Sequence, residues 1–192
     1  MLRPGFDAIA LRTMTHDFLR VAPLLTLLAI AAVTDLRSRR IPNWLTFLLM
    51  LSGILQSFFA TRIAGTGMSV LGILIGAAIP FVLFFIGALG AGDVKLLAGI
   101  GAWMGPLPAV AVFLVEAVVG MVIVLAQATA QGRLQLLMKN SALVALNLFY
   151  VREVGVEHAS ATGRSARSIN RPLPYAVPVL IAVLIVLARK WA

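Results

Sequence analysis

The sequence predicts an all-α fold, a polytopic membrane bundle of about six transmembrane helices, and three observations carry that expectation. Of 192 residues, 61% are hydrophobic and 12% charged, with a mean hydropathy of +1.01, which leaves too little charge to cover a soluble domain. The apolar residues gather in blocks long enough for helices, several of them without any charge. The Lys and Arg residues behind the net charge of +9 fall mostly between those blocks. That placement points to topology signals and to membrane lipid headgroups as the partner, with no nucleic acid implied.

Residues 1–20 mix polar and apolar side chains, with Pro4, Gly5, Arg12, His16 and Arg20, and read as an N-terminal tail or interfacial helix. From residue 21 to 192 the chain reads as one membrane-embedded domain. The first apolar run, Val21 to Thr34, resembles a signal peptide in its basic start and its Ala29-Ile30-Ala31-Ala32 stretch. The arginines that follow at 37, 39 and 40 favour a retained span. Pro42 and Trp44 open a second span to Ala60, since proline suits a first helical turn and tryptophan the headgroup layer. Gly65 and Gly67 mark the next turn, and Met68 to Leu89 forms a third span kinked at Pro80. Val94 to Met104 is short for a crossing at about 1.5 Å per residue. Gly105-Pro106-Leu107-Pro108 turns the chain into a fifth element, Ala109 to Thr129. Residues 130–171 form a cytoplasmic or interfacial segment, amphipathic over Leu134 to Val151 and loop-like over Val154 to Asn170. Pro172, Pro174 and Pro178 introduce a final span closed by Arg189-Lys190-Trp191.

Several chemistries lack material. There is no cysteine, hence no disulfide, thiol nucleophile or cysteine-held metal, and His16 and His158 both sit in polar segments. The expectation is therefore of no metal and no cofactor. Acidic residues are few and informative. Asp93 stands in Gly90-Ala91-Gly92-Asp93-Val94-Lys95, directly after a block that carries no charge from Met68 to Leu89. An ionisable group near hydrocarbon costs roughly 2.5–3.5 kcal/mol at a helix centre, so its default reading is functional. Asp35 closes the first apolar run in Thr34-Asp35-Leu36-Arg37. Counting positive charges puts the Arg37 to Arg40 loop, Lys95 and the 130–171 segment on the cytoplasmic side, so both aspartates belong to one rim. Two carboxyl groups brought together there can share a proton and activate a water.

Each residue also has a plainer role open to it. Asp93 suits a helix N-terminus, with Gly90 and Gly92 making room where the backbone turns. Asp35 can pair with a neighbouring arginine, at little gain on an exposed edge. Lys95 reads as a snorkelling topology marker more than a charge partner. Glu116, in the middle of the fifth element, reads as an interhelical hydrogen-bonding residue.

The segments TDLRSRRIPNWLT around Asp35 and GALGAGDVKLLAGIGAWMG around Asp93, with a looser echo in RPLPYAVPVLIA, resemble the type IV prepilin peptidases, membrane aspartic proteases with a GxGD motif. The resemblance implies that Asp35 and Asp93 are the catalytic pair, with Gly90, Gly92 and Lys95 as motif support. It also implies cleavage after a glycine of the pilin leader at the cytoplasmic face of the bacterial inner membrane. The size resembles the short tight-adherence or Flp-type members, which carry the peptidase without the methyltransferase region, so methylation of the new N-terminus is not implied. Many relatives have glycine where Ala176 follows Pro174-Tyr175. The expected substrate is a prepilin with a basic leader and an apolar helix, and pilus assembly machinery is a possible further partner. Two readings of other classes stand beside this one. A proton-coupled transporter would use Asp35, Asp93 and Glu116 as a relay, and a non-catalytic assembly subunit would need none of them.

Overall fold

The computed structural model describes residues 4–85, 89–149 and 174–191, with side chains at 21–85, 89–139, 141–142 and 174–189. Every element among the described residues is an α-helix, in the order α1 (Pro4–Ser38), α2 (Asn43–Phe85), α3 (Ala91–Met104), α4 (Pro106–Ala130), α5 (Leu134–Phe149) and α6 (Ala176–Trp191). Among the described residues, three helices are long and apolar enough to cross a membrane: α1 from Val21, α2 and α4. The chain is a multi-pass membrane helical bundle. Its spans are apolar on all sides, with Phe59 and Leu74 on the outside as freely as Leu45 and Leu49 are inside, because lipid rewards outward hydrophobic groups as water does not.

Helix α1 passes residue 20 without a break, so the backbone of 4–20 is helical and continuous with the first span. It ends in a left-handed turn at Arg39 (φ 51°), whose N–H donates to the Asp35 carbonyl at 2.8 Å. Pro42 then accepts the first N–H bonds of α2, from Leu45 and Thr46.

The second turn falls earlier than Gly65 and Gly67 suggest. Helix α2 is broken at Thr61 and Arg62, where Arg62 takes φ 56°, ψ −131°. Gly53 before the break and Gly72 after it both lie against the Gly101–Ala102 stretch of α3, so the two arms, 43–60 and 63–85, double back as a hairpin. Gly65 serves packing instead: a side chain there would collide with the Ser57 carbonyl of the opposite arm. Pro80 lies inside the second arm, which stays helical to Phe85, and the non-helical backbone within α2 is at Thr61–Arg62.

Helix α3 threads against both arms of this hairpin, and small residues set the approach. A Cβ on Gly72 would meet the Gly101 carbonyl, one on Gly101 would meet that of Gly72, and one on Gly76 would lie 2.6 Å from the Leu97 carbonyl. Lipid gives helices little hydrophobic reason to associate, so close backbone contact of this kind supplies the adhesion. Two longer bonds pin the register, Ser69 Oγ donating to the Ala102 carbonyl at 2.8 Å and Trp103 Nε1 donating to that of Leu49 at 2.9 Å. At 14 residues, α3 is roughly 20 Å long, shorter than a bilayer core.

Gly105 (φ 83°) turns the chain into α4, which starts on Pro106 in the first-turn position that proline fits. Helix α6 packs against α1 and α4, and its Val179 and Val183 join Leu24 and Leu28 of α1, Leu96 and Ile100 of α3 and Val112 of α4 in the core. Helix α5 covers the first part of the expected interfacial segment, with Leu136 and Met138 exposed. The loop expected over Val154 to Asn170 lies outside the described residues.

Candidate active site

Four elements meet at one rim of the bundle: the end of α1, the start of α2, the start of α3 and the residues leading into α6. They enclose a cavity of about 370 Å³ whose wall includes Asp35, Arg39, Arg40, Asn43, Gly90, Gly92, Asp93 and Tyr175. The two aspartates expected at one rim, separated by 57 intervening positions, thus line the same space.

They are held differently. Asp35 is 6% exposed, in the last turn of α1, where the helix supplies no N–H partner for a carboxylate. Its Oδ2 accepts the Ala176 N–H at 3.0 Å, from the first residue of α6. That N–H is one of the donors every helix start leaves unpaired, and the positive end of the α6 dipole faces the acid. The alanine side chain at 176 does not prevent this backbone contact.

Asp93 occupies the first turn of α3, and its Oδ2 accepts the Gly90 N–H at 2.9 Å. The capping role open to it is therefore realised alongside its place on the cavity wall. The glycines act by size, since Gly90 is extended (φ −86°, ψ 154°) and neither it nor Gly92 has positive φ. A Cβ on Gly90 would come within 3.1 Å of Asp93 Oδ2, and one on Gly92 would touch Ile41 at 3.4 Å. Lys95 is exposed and donates from Nζ to Asn43 Oδ1 at 2.9 Å, tying the start of α3 to that of α2.

Glu116 is buried on α4 and accepts a hydrogen bond from the Tyr175 hydroxyl, the interhelical role its position suggests. Tyr175 and the Ala176 N–H lie outside the site residues that the sequence points to. The available signal was the Pro174-Tyr175 pair before the last span, since a buried phenol needs a partner for its O–H.

The profile of the type IV leader peptidase family matches residues 22–125, more than half of the chain and the part that holds both aspartates. The chain belongs to the type IV leader peptidase family. Among curated relatives of this family member, a prepilin leader peptidase/N-methyltransferase of Klebsiella pneumoniae is 36% identical over 89 residues, covering 43% of this chain. That match takes in 39% of the relative's own length. No solved structure matches. The family match covers α2, α3 and most of α4 and stops short of Tyr175 and α6, so the geometry at Ala176 is known from the structure alone.

Proposed function

We propose that this leader peptidase family member is a membrane aspartic endopeptidase that removes the leader from type IV prepilins of the Flp or tight-adherence kind. What supports the reading is a single arrangement: Asp35 and Asp93, from different helices within the family-matched segment, line one cavity at one rim. One aspartate, ionised, takes a proton from a water as that water attacks the scissile carbonyl. The other, protonated, donates to the carbonyl oxygen, and a proton then passes to the leaving amine. Gly90 and Gly92 keep the cavity open beside Asp93, and Lys95 supports the start of α3.

The arginines at 37, 39 and 40 and Lys95 cluster at the rim that holds the aspartates, which supports a cytoplasmic site in the inner membrane. A substrate with a basic leader and an apolar helix fits this setting, the helix beside the lipid-facing spans and the scissile bond at the polar rim. Pilus assembly machinery is the natural destination of the product.

The test is co-expression with a candidate Flp-type prepilin, following precursor and mature sizes. Asp35→Asn and Asp93→Asn, present in membranes at wild-type levels, leave the precursor uncut. Processing at the normal rate by either variant refutes the two-aspartate mechanism, and proton-dependent flux in liposomes without any cleavage favours a transporter.

A further inference from the structure

The buried acid Glu116 takes no part in the two-aspartate chemistry, yet only two hydrogen bonds and the Tyr175–Ala176 peptide link separate it from Asp35. Its carboxylate, on α4, accepts from the Tyr175 hydroxyl, and the next residue along the chain, Ala176, gives its N–H to Asp35 Oδ2 at 3.0 Å. A buried carboxylate without a partner is costly, so the Tyr175 contact satisfies both side chains. It also ties the segment to α4: the Pro174 and Tyr175 carbonyls accept the N–H groups of Val177 and Val179 and Ala176 is buried in the core, and the Tyr175 hydroxyl adds a side-chain hydrogen bond to another helix.

We infer that Glu116 and Tyr175 form a positioning pair, which fixes the start of α6 so that the Ala176 N–H orients the Asp35 carboxylate toward the cavity it shares with Asp93. This rests on the proposed two-aspartate reaction and adds to it two residues that the twin motifs do not contain. The pair acts through backbone. Losing the hydroxyl lets residues 174–176 shift, the 3.0 Å bond to Asp35 lengthens, and the carboxylate leaves the geometry that the attacking water needs. Misplacing a catalytic group by about 1 Å costs up to roughly a hundredfold in rate.

The experiment compares purified wild type, Tyr175→Phe, Glu116→Leu, Glu116→Gln, the double variant Tyr175→Phe/Glu116→Leu, and Asp35→Asn in detergent, on a peptide spanning the prepilin leader junction. Positioning predicts that Tyr175→Phe and Glu116→Leu each lower kcat by about tenfold or more with KM within about twofold, since orientation rather than substrate binding is lost. The double variant is no worse than the poorer single one, because both remove the same link. Glu116→Gln, which keeps a carbonyl acceptor for the hydroxyl, recovers most of the loss seen with Glu116→Leu. Thermal melting in the same detergent separates misfolding from misalignment, and Tyr175→Phe melting close to wild type while slow is the expected pattern. Wild-type kcat in Tyr175→Phe, or Glu116→Gln as impaired as Glu116→Leu, overturns the inference. Asp35→Asn reads the underlying reaction separately. If it still cleaves, the two-aspartate reading fails. If it is inactive while Tyr175→Phe is fully active, only the positioning role fails.

Discussion

Gly76→Ala isolates how much of this protein's stability comes from close helix contact. On α2, Gly76 faces α3, and an added Cβ would lie 2.6 Å from the backbone carbonyl oxygen of Leu97. Ordinary contact begins at 3.4 Å, so the two backbones must separate by the difference, 0.8 Å, and no rotamer change relieves a clash with main chain. Overpacking of this kind costs roughly 1–3 kcal/mol. For a chain of this size about 2–4 °C of melting temperature goes with each kcal/mol, which predicts a fall of roughly 2–12 °C. Gly120→Ala is the matched control. It adds the same methyl group in the middle of α4, with nothing within 4 Å of the new atom, and alanine is the better helix former. The assay is thermal unfolding in one detergent, read by the loss of the monodisperse peak in size-exclusion chromatography. A Gly76→Ala protein that melts with or above Gly120→Ala would refute the claim that glycine at 76 is held by the approach of α3. Since Leu97 is one helical turn beyond Asp93, Gly76→Ala also displaces the support of that carboxylate and slows cleavage more than Gly120→Ala does.

Two further outcomes follow from the rim geometry. Gly90→Ala places a methyl carbon 3.1 Å from Asp93 Oδ2 while leaving an ordinary extended backbone, so leader cleavage falls several-fold with a melting temperature near wild type, and unchanged cleavage would show the carboxylate free to move aside. Because the chain has no cysteine, single cysteines report topology directly: Ser38→Cys, beside the cavity, and Thr61→Cys, at the break in α2, react with an impermeant maleimide from opposite faces of the membrane. Labelling of both from one side would contradict the hairpin of α2.

What the sequence determined is the kind of fold and the rim on which chemistry has to sit. Composition and uncharged blocks dictate spanning helices, because a backbone in lipid must satisfy its own hydrogen bonds. Arginine placement after the first span, together with Lys95, assigns Asp35 and Asp93 to one side without reference to any contact. The break at Thr61–Arg62 was hidden, since neither residue is a conventional breaker while Gly65 and Gly67 nearby are. Only the folded chain shows what those glycines do. Local pattern marks a glycine as flexible, whereas Gly65, Gly72 and Gly76 are defined by atoms on another helix or another arm. The partner of Asp35 lay equally out of reach, for a backbone N–H belongs to every residue but proline and nothing in Ala176 distinguishes its own. Hydropathy places an acid at a depth and a side, but the direction in which its oxygens point depends on which helix end is packed beside it.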